Sequence, residues 1–326
     1  MNNTIKLSVD FKDNEKRLDI FLRENINNLT RSFLKKLIEN KNVKLNDSTV
    51  ISPSTKVKNK DLITINIIHK NETKIIPKNI KLNVIYEDSD ILVINKPKGM
   101  VVHPGAGNHE NTLVNALLFK YKNKLSDING ALRPGIVHRI DKETSGLLVI
   151  AKNNLAHSNL GEQFSKHTIK RKYLCLSWGV VRPLSGKITT LIARDKKNRQ
   201  LMTVSNINGK KAITNYKTLK VFNVKDIPKI SLIECELETG RTHQIRVHLK
   251  FKGTSLLGDK QYGKKNIKFK KINNEFFEKL NKLSGQALHA KTLEFAHPLN
   301  KKWMSFNSDL PISFKKILKL LENLSD

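Results

Sequence analysis

Residues 138–146 read HRIDKETSG, with Asp141 two residues after Arg139 and directly before Lys142. An apolar approach, Gly135-Ile136-Val137, leads in, and an apolar run, Leu147-Leu148-Val149-Ile150-Ala151, leads out. A single Asp between bases is ordinarily a surface ion pair that contributes little. Three features weigh against that reading and toward a carboxylate held in place for a task. If 137–141 is extended, alternation puts Arg139 and Asp141 on one face, with His138 and Ile140 on the other. The hydroxyls of Thr144 and Ser145 suit side chain–backbone hydrogen bonds that hold a loop. Strand-like segments on both sides anchor that loop with the rigidity that positioned catalysis needs.

The elements that must carry this loop follow from the pattern of apolar residues. Residues 17–22 have helical spacing, with Leu18, Phe21 and Leu22 on one face. Thr30 fits the N-cap of a second helix, 31–40, whose inner face is Leu34, Leu37 and Ile38 and whose Arg31, Lys35 and Lys36 point to solvent. Short strands follow at 43–45, 49–51 and 62–65. The spacing predicts a small module over 15–75, a linker over 76–81 and a large domain over 82–326. The large domain opens with a hairpin, 82–86 and 91–94. Asn111 caps a helix to about 120. A helix at 155–166 leads into a strand at 171–176, and further strands fall at 188–192, 212–222 and 230–237. Helices at 242–251 and 312–324 complete an α+β chain with largely antiparallel connections.

The chain holds 60 Lys and Arg against 29 Asp and Glu, a formal charge of +31. Such a charge suits a polyanionic partner, nucleic acid before lipid, although a Lys- and Asn-rich composition also writes a neutral surface in basic letters. Arginine is more telling. There are 11 against 49 lysines, and Arg139, Arg171, Arg241 and Arg246 fall in segments singled out here, with Arg133 just ahead of one. An arginine kept where lysine is the rule suggests that its fork geometry is used. Cys175 and Cys235 lie in strand-like runs and read as small buried hydrophobes of a reducing compartment. Trp178 and Trp303 read as core. No run approaches a membrane span, and the N-terminal stretch MNNTIKLSVD has no secretory apolar region, so a soluble, cytoplasmic monomer without membrane contact is expected.

HRIDKETSGLLVIAKN resembles the H-R-[LI]-D-x-x-T-S-G signature of the RluA/RluD family of pseudouridine synthases. The family's other blocks follow in order: VINKPKGMVVHPGAG (93–107), KRKYLCLSWG (170–179), GKKAITNYK (209–217), LETGRTHQIRVHL (237–249), LLGDKQYG (256–263) and QALHAKTLEFAHP (286–298). RLDIFL, TRSFLKKLIENKNVKLND and KVKNKDLITI resemble an S4 RNA-binding domain, which presents its second helix to structured RNA. The resemblance therefore implies a small S4 module followed by a mainly antiparallel, mixed-sheet catalytic domain. One departure stands out: Gly285 occupies a position where relatives often carry Arg.

What the resemblance implies is an isomerisation within one nucleotide. The N1–C1′ bond of uridine breaks, the base turns, and C5 joins C1′. Asp141 is implied as the essential acid, attacking C1′ or removing the C2′ proton. Arg246 would pair with it, holding the carboxylate charged and aimed. Tyr173 would lie against the uracil, stacked or placed for the C5 proton. Arg139 would fill the stack vacated by a flipped base. Arg241 and His138, with Arg31, Lys35 and Lys36 of the S4 helix, are candidate RNA contacts. Lys170, Arg171 and Lys172 fit an RNA-backbone contact or a solvated strand end equally well. Such chemistry needs no cofactor and no metal, and the chain has no P-loop, no G-x-G-x-x-G and no Cys/His cluster at ligand spacing. His103, His138, His243, His248, His289 and His297 read as structural hydrogen-bonding groups. No second acid stands in the signature, which favours internal transfer over hydrolysis. The implied partner is large-subunit ribosomal RNA or a precursor 50S particle. The RluD type points to the helix 69 stem-loop at the subunit interface. The RluC type, acting on other large-subunit sites, and a non-catalytic ribosome-assembly factor are the competing readings.

Overall fold

The computed structural model describes residues 3–26, 29, 31–67, 75–105, 107–122, 124–225, 227–263 and 274–325. The chain divides into two compact units, Met1–Lys74 and Ile75–Asp326.

In the first unit, β1 (Asn3–Ser8) precedes helices α1 (Leu18–Asn25) and α2 (Arg31–Glu39), then strands β2 (Val43–Leu45), β3 (Ser48–Thr49) and β4 (Leu62–Ile67). The sheet order is β1-β4-β2-β3, antiparallel throughout. The predicted inner faces, Leu18, Phe21 and Leu22 with Leu34, Leu37 and Ile38, are all buried, closing over Val43, Ile63 and Ile65. β1 lies ahead of the module boundary expected at 15; its alternating NTIKLS is too short to stand out from a polar terminus. The N-cap expected at Thr30 lies outside the described residues.

The second unit is built on one large sheet. Its strands are β5 (Val84–Glu87), β6 (Ile91–Lys96), β7 (Ser145–Ala151), β8 (Lys170–Trp178), β9 (Ser185–Arg194), β10 (Met202–Ser205), β11 (Lys210–Phe222), β12 (Ile230–Leu237), β13 (Leu288–Ala296) and β14 (Trp303–Asn307). The helices are α3 (Leu113–Tyr121), α4 (Asn154–Ser165), α5 (Gln244–Phe251), α6 (Asn274–Asn281) and α7 (Ile312–Leu324). The order is β10-β9-β11-β12-β8-β13-β7-β6-β5, with β14 on β13. Every pairing is antiparallel except β13 with β7. β13 thus joins the two halves of the sheet, its start held between β8 and β7. β7 is buried at all seven residues, which is why its sequence is an unbroken small and apolar run rather than an alternation. One face packs with α4 through Ala156 and Leu160. Trp178 and Phe222 pack with Phe276 of α6 and with Phe314 and Ile317 of α7. This is an α+β architecture. No helix among the described residues is long and apolar enough to cross a membrane.

Several local expectations change. The segment expected as a linker is docked instead: Ile75, Ile80 and Leu82 pack on the core, and Asn115 Nδ2 donates to Ile76 O at 2.8 Å. The cap of α3 is Thr112, not Asn111. Asn115 N donates to the Thr112 hydroxyl and the Asn115 side chain answers Thr112 N, a capping box, while Asn111 takes φ 59°. Residues 137–141 are not a strand; only an isolated bridge, Ile136 with Ile150, ties the approach to β7. Trp303 is 53% exposed rather than core. Cys175 and Cys235 are both buried and free.

Candidate active site

The loop carrying Asp141 is held from several sides. Ile140 is buried beneath it, and Thr144 N donates to Asp141 O at 3.1 Å. The Thr144 hydroxyl accepts from Gln286 Nε2 at 3.1 Å, and Ser145 Oγ lies 2.9 Å from His289 Nδ1. The two hydroxyls therefore hold the loop through side chains of the distant 286–289 segment, not through nearby backbone. Lys96 is fully buried and donates to the carbonyls of Pro97, Met100 and Lys142 at 2.8, 2.8 and 3.2 Å. Burial brings its ammonium down to about 7, against the pull of the Glu143 and Asp141 charges. Lys98 Nζ reaches Gly285 O and Gln286 O at 3.1 and 2.9 Å, tying the same loops together.

Arg246, on the buried face of α5, brings its Nη1 to 3.0 Å from Asp141 Oδ2. The pairing read from sequence is present. Its bed was not foreseen. Asp259 grips Arg246 as a fork, Nε to Oδ2 at 2.7 Å and Nη2 to Oδ1 at 2.8 Å, and Gln261 Oε1 accepts from Nη2 at 2.8 Å. The Tyr262 ring lies 4.8 Å from the guanidinium carbon. Burial opposes the charge on Arg246, but the bonds to Asp259 and the nearby Asp141 outweigh it and raise its pKa. Asp259 moves the other way: burial raises it, yet Arg246 and the backbone N–H groups of Tyr262 and Gln261 bring it below the usual carboxylate value. Arg246 is 5% exposed and Asp141 19%, so the chain of charges is buried at Arg246 and more open at Asp141.

Asp141 stands on the wall between two adjoining cavities, of about 470 and 550 Å³, both lined by Arg139, Asp141, His243 and Arg246. These volumes suit a small-ligand site. Tyr173 lines the first; it is buried on β8, and burial raises its hydroxyl's pKa, with Arg171 opposing and Asp141 adding. Among the described residues lining that cavity, Asp141 is the sole acid, facing Arg139, Arg171, Arg241 and Arg246. Arg139 is exposed at the mouth. Arg241 is half-buried, its Nε donating to Lys211 O at 3.0 Å.

Other expectations are redistributed. His138 Nε2 accepts from Val149 N at 3.1 Å and its ring lies against Phe164, so this nitrogen serves the fold rather than RNA; burial brings its pKa to about 3. Arg171 is not at a solvated strand end: it is 7% exposed and lines the cavity. Arg31 is tied with Arg17 to the buried Asp19, at 2.7 and 3.0 Å, and Lys35 pairs with Glu39 at 3.7 Å, while Lys36 is exposed on α2. Of the six histidines read as structural, His248 bonds Thr190 and Thr214, His289 bonds Ser145 and Ser308, and His297 bonds Asp88. His243 does more. Its Nδ1 meets Tyr262 Oη at 2.8 Å and its Nε2 lies 3.9 Å from Asp141 Oδ1. Among the described residues His103 Nδ1 is buried without a hydrogen-bond partner, beside the second cavity. Among the described residues, Asp88, Asp90 and His297 bring three donor atoms within 4.8 Å of one another, but they line neither cavity and already bond one another's loops.

Gly285 has its own reason. Its φ is 127°, and a Cβ there would meet Glu143 Cβ at 2.6 Å. The backbone admits glycine and little else.

Comparison with known proteins adds identity to this geometry. The RNA pseudouridylate synthase family profile matches residues 90–251. Ribosomal large subunit pseudouridine synthase D of Zymomonas mobilis is 44% identical over 94% of this chain and 93% of its own. The enzyme of the same name from Haemophilus influenzae is 40% identical over 98% and 95%. Among solved structures, human RNA pseudouridylate synthase domain containing 4 superposes with a TM-score of 0.56 at 25% identity, over 74% of this chain and 93% of that one. The chain therefore belongs to the RNA pseudouridylate synthase family, as an enzyme of its RluD type.

Proposed function

We propose that the protein converts uridines of large-subunit ribosomal RNA to pseudouridine, with the helix 69 stem-loop as target, and that Asp141 is the residue that breaks the glycosidic bond. The observation that carries the reading is the chain Asp141–Arg246–Asp259, which aims one carboxylate into a cavity that Tyr173 and four arginines help to line. A guanidinium clamped by a buried acid holds the second carboxylate in one orientation at no reorganisation cost during reaction. Asp141 either bonds to C1′ or takes the C2′ proton; both routes begin by cleaving N1–C1′. Tyr173 lies against the uracil. Arg139, exposed at the cavity mouth, fills the place of the base once it has swung out, a movement costing a few kcal/mol. Arg241 and the cationic rim meet phosphates. The names of the relatives support the large-subunit target, and that target makes the protein a cytoplasmic one.

The first unit is proposed as an S4 RNA-binding module. Two helices followed by short strands support this, as does the exposure of Lys35 and Lys36 on α2.

The test is tritium release from rRNA labelled at C5 of uridine. The wild type releases label, and Asp141→Asn binds the RNA without release. A wild type that binds and releases nothing would point to an assembly factor. Mapping pseudouridine in rRNA from cells lacking the gene decides the target: loss confined to the helix 69 loop supports the proposal, and loss elsewhere in the large subunit assigns the RluC-type sites.

A further inference from the structure

Arg171 is a buried cation that the reading above leaves without a task. It sits on β8 two residues before Tyr173, so both side chains leave the same face of the strand, and both line the first cavity. Among the described residues no carboxylate pairs with it. Its Nη2 has a long contact, 3.4 Å, to Leu237 O, its Nε is buried without any partner, and the Phe164 ring lies 5.4 Å from its guanidinium carbon. Gly240 leaves room for it: a Cβ there would stand 2.8 Å from Arg171 Nη1. An unpaired buried charge is costly unless something arrives to meet it. Arg246, by contrast, has every branch of its fork engaged.

We propose that Arg171 is a catalytic residue that receives the negative charge developing on the uracil as the N1–C1′ bond breaks. This rests on the reading of the cavity as the uridine site. The electron pair of that bond stays with the base, giving an anion spread over N1 and the adjoining carbonyls. The sugar passes to the Asp141 carboxylate, or its C2′ proton does. When C5 bonds to C1′ with the base's electrons, the carboxylate is released or the C2′ proton returned, C5 loses its proton and N1 gains one. Arg171 exchanges no proton in this sequence. It acts where charge is greatest, between the two bond changes, in a site shielded from water. Asp141 and Arg171 thus divide the labour, one serving the sugar and the other the base, with Tyr173 between their tasks.

The experiment uses the full chain, an rRNA transcript that the wild type is first shown to modify, and the variants Arg171→Gln and Arg171→Lys. A wild type that modifies no uridine in rRNA refutes the uridine-site reading itself and this assignment with it. Otherwise, Arg171→Gln slows the single-turnover rate by about 10²–10³-fold, the usual effect of deleting one such donor, while RNA affinity stays close to wild type. Arg171→Lys, which keeps the charge, regains part of the rate. The same transcript made with 5-fluorouridine supplies a base whose anion is intrinsically more stable, so the ratio of wild-type to variant cleavage rates shrinks by about tenfold or more, because less of the barrier is left for the protein to lower. A deficit that lies in affinity and salt dependence with the rate intact assigns Arg171 to a phosphate and overturns the proposal. Equal slowing on both bases, or a Lys variant as slow as Gln, also overturns it. If Arg171→Gln does not fold, the Lys variant with the two transcripts decides alone.

Discussion

At the scale of single residues, the site is a relay of fixed charges ending in one mobile role. Asp259 is wholly buried and carries half of the grip on Arg246, which in turn aims Asp141. Asp259→Asn keeps the shape but weakens that grip, and a displacement of Arg246 by about 1 Å is enough to cost roughly 10²-fold in rate; single-turnover assays at saturating enzyme measure it. Asp259→Ala leaves Arg246 buried with half its partners gone, and an expected loss of about 3–5 kcal/mol in urea unfolding follows. The Asp141 block was legible because its residue types lie next to one another in the chain. Asp259 and Gln261 were not singled out, and His243 was read only as a structural group, because nothing in LLGDKQYG or GRTHQIR says which polar side chain is buried or what it meets. For the same reason Arg171 could be read only as an RNA-backbone contact or a solvated strand end: alternation gives its face, but not the cavity that face looks into.

At the scale of elements, two glycines fix where loops cross. Gly146 takes φ 118°, and a Cβ there would fall 2.3 Å from Ala290 O, where β7 meets β13. Gly146→Ala is expected to cost about 3 kcal/mol, the upper end for forcing atoms into a filled site, read as a fall in the urea midpoint. Gly285→Arg loses stability rather than gaining RNA affinity, because the added Cβ strikes Glu143; thermal midpoint and filter binding report both halves of this expectation. On α2, Lys35→Glu with Lys36→Glu raises the dissociation constant for RNA and flattens its salt dependence by about one unit per lysine. Strands with apolar runs, such as β6, β7 and β12, and the amphipathic α1, α2 and α7 could be read directly. β10, β13 and β14 could not. β13 mixes His, Lys and Glu into its run because its side chains serve the site, β14 and another sheet strand at different points.

At the scale of the whole molecule, burial of basic groups sets the response to pH. Burial keeps His103, His248 and His289 neutral to about pH 4 and His138 to about pH 3, against 6.5 for a free imidazole. Between those values the unfolded chain holds more protons, so stability falls as pH drops from about 6.5 to about 4. Lys96 extends the trend upward: neutral in the fold above about pH 7 but charged to about 10.5 when unfolded, it makes stability rise with pH across that interval. Unfolding midpoints measured from pH 4 to 9 should climb throughout, and His248→Gln should flatten the acid limb alone. The order of the sheet has a further outcome in time. The strand that welds Asp141's half to Tyr173's half is made of residues 288–296, which follow both in the chain. Until those residues emerge, the acid and the strand opposite it belong to separate, unclosed fragments. A growing chain, however strongly its cations draw nucleic acid, is therefore expected to stay inert toward the RNA around it until that joining strand has emerged.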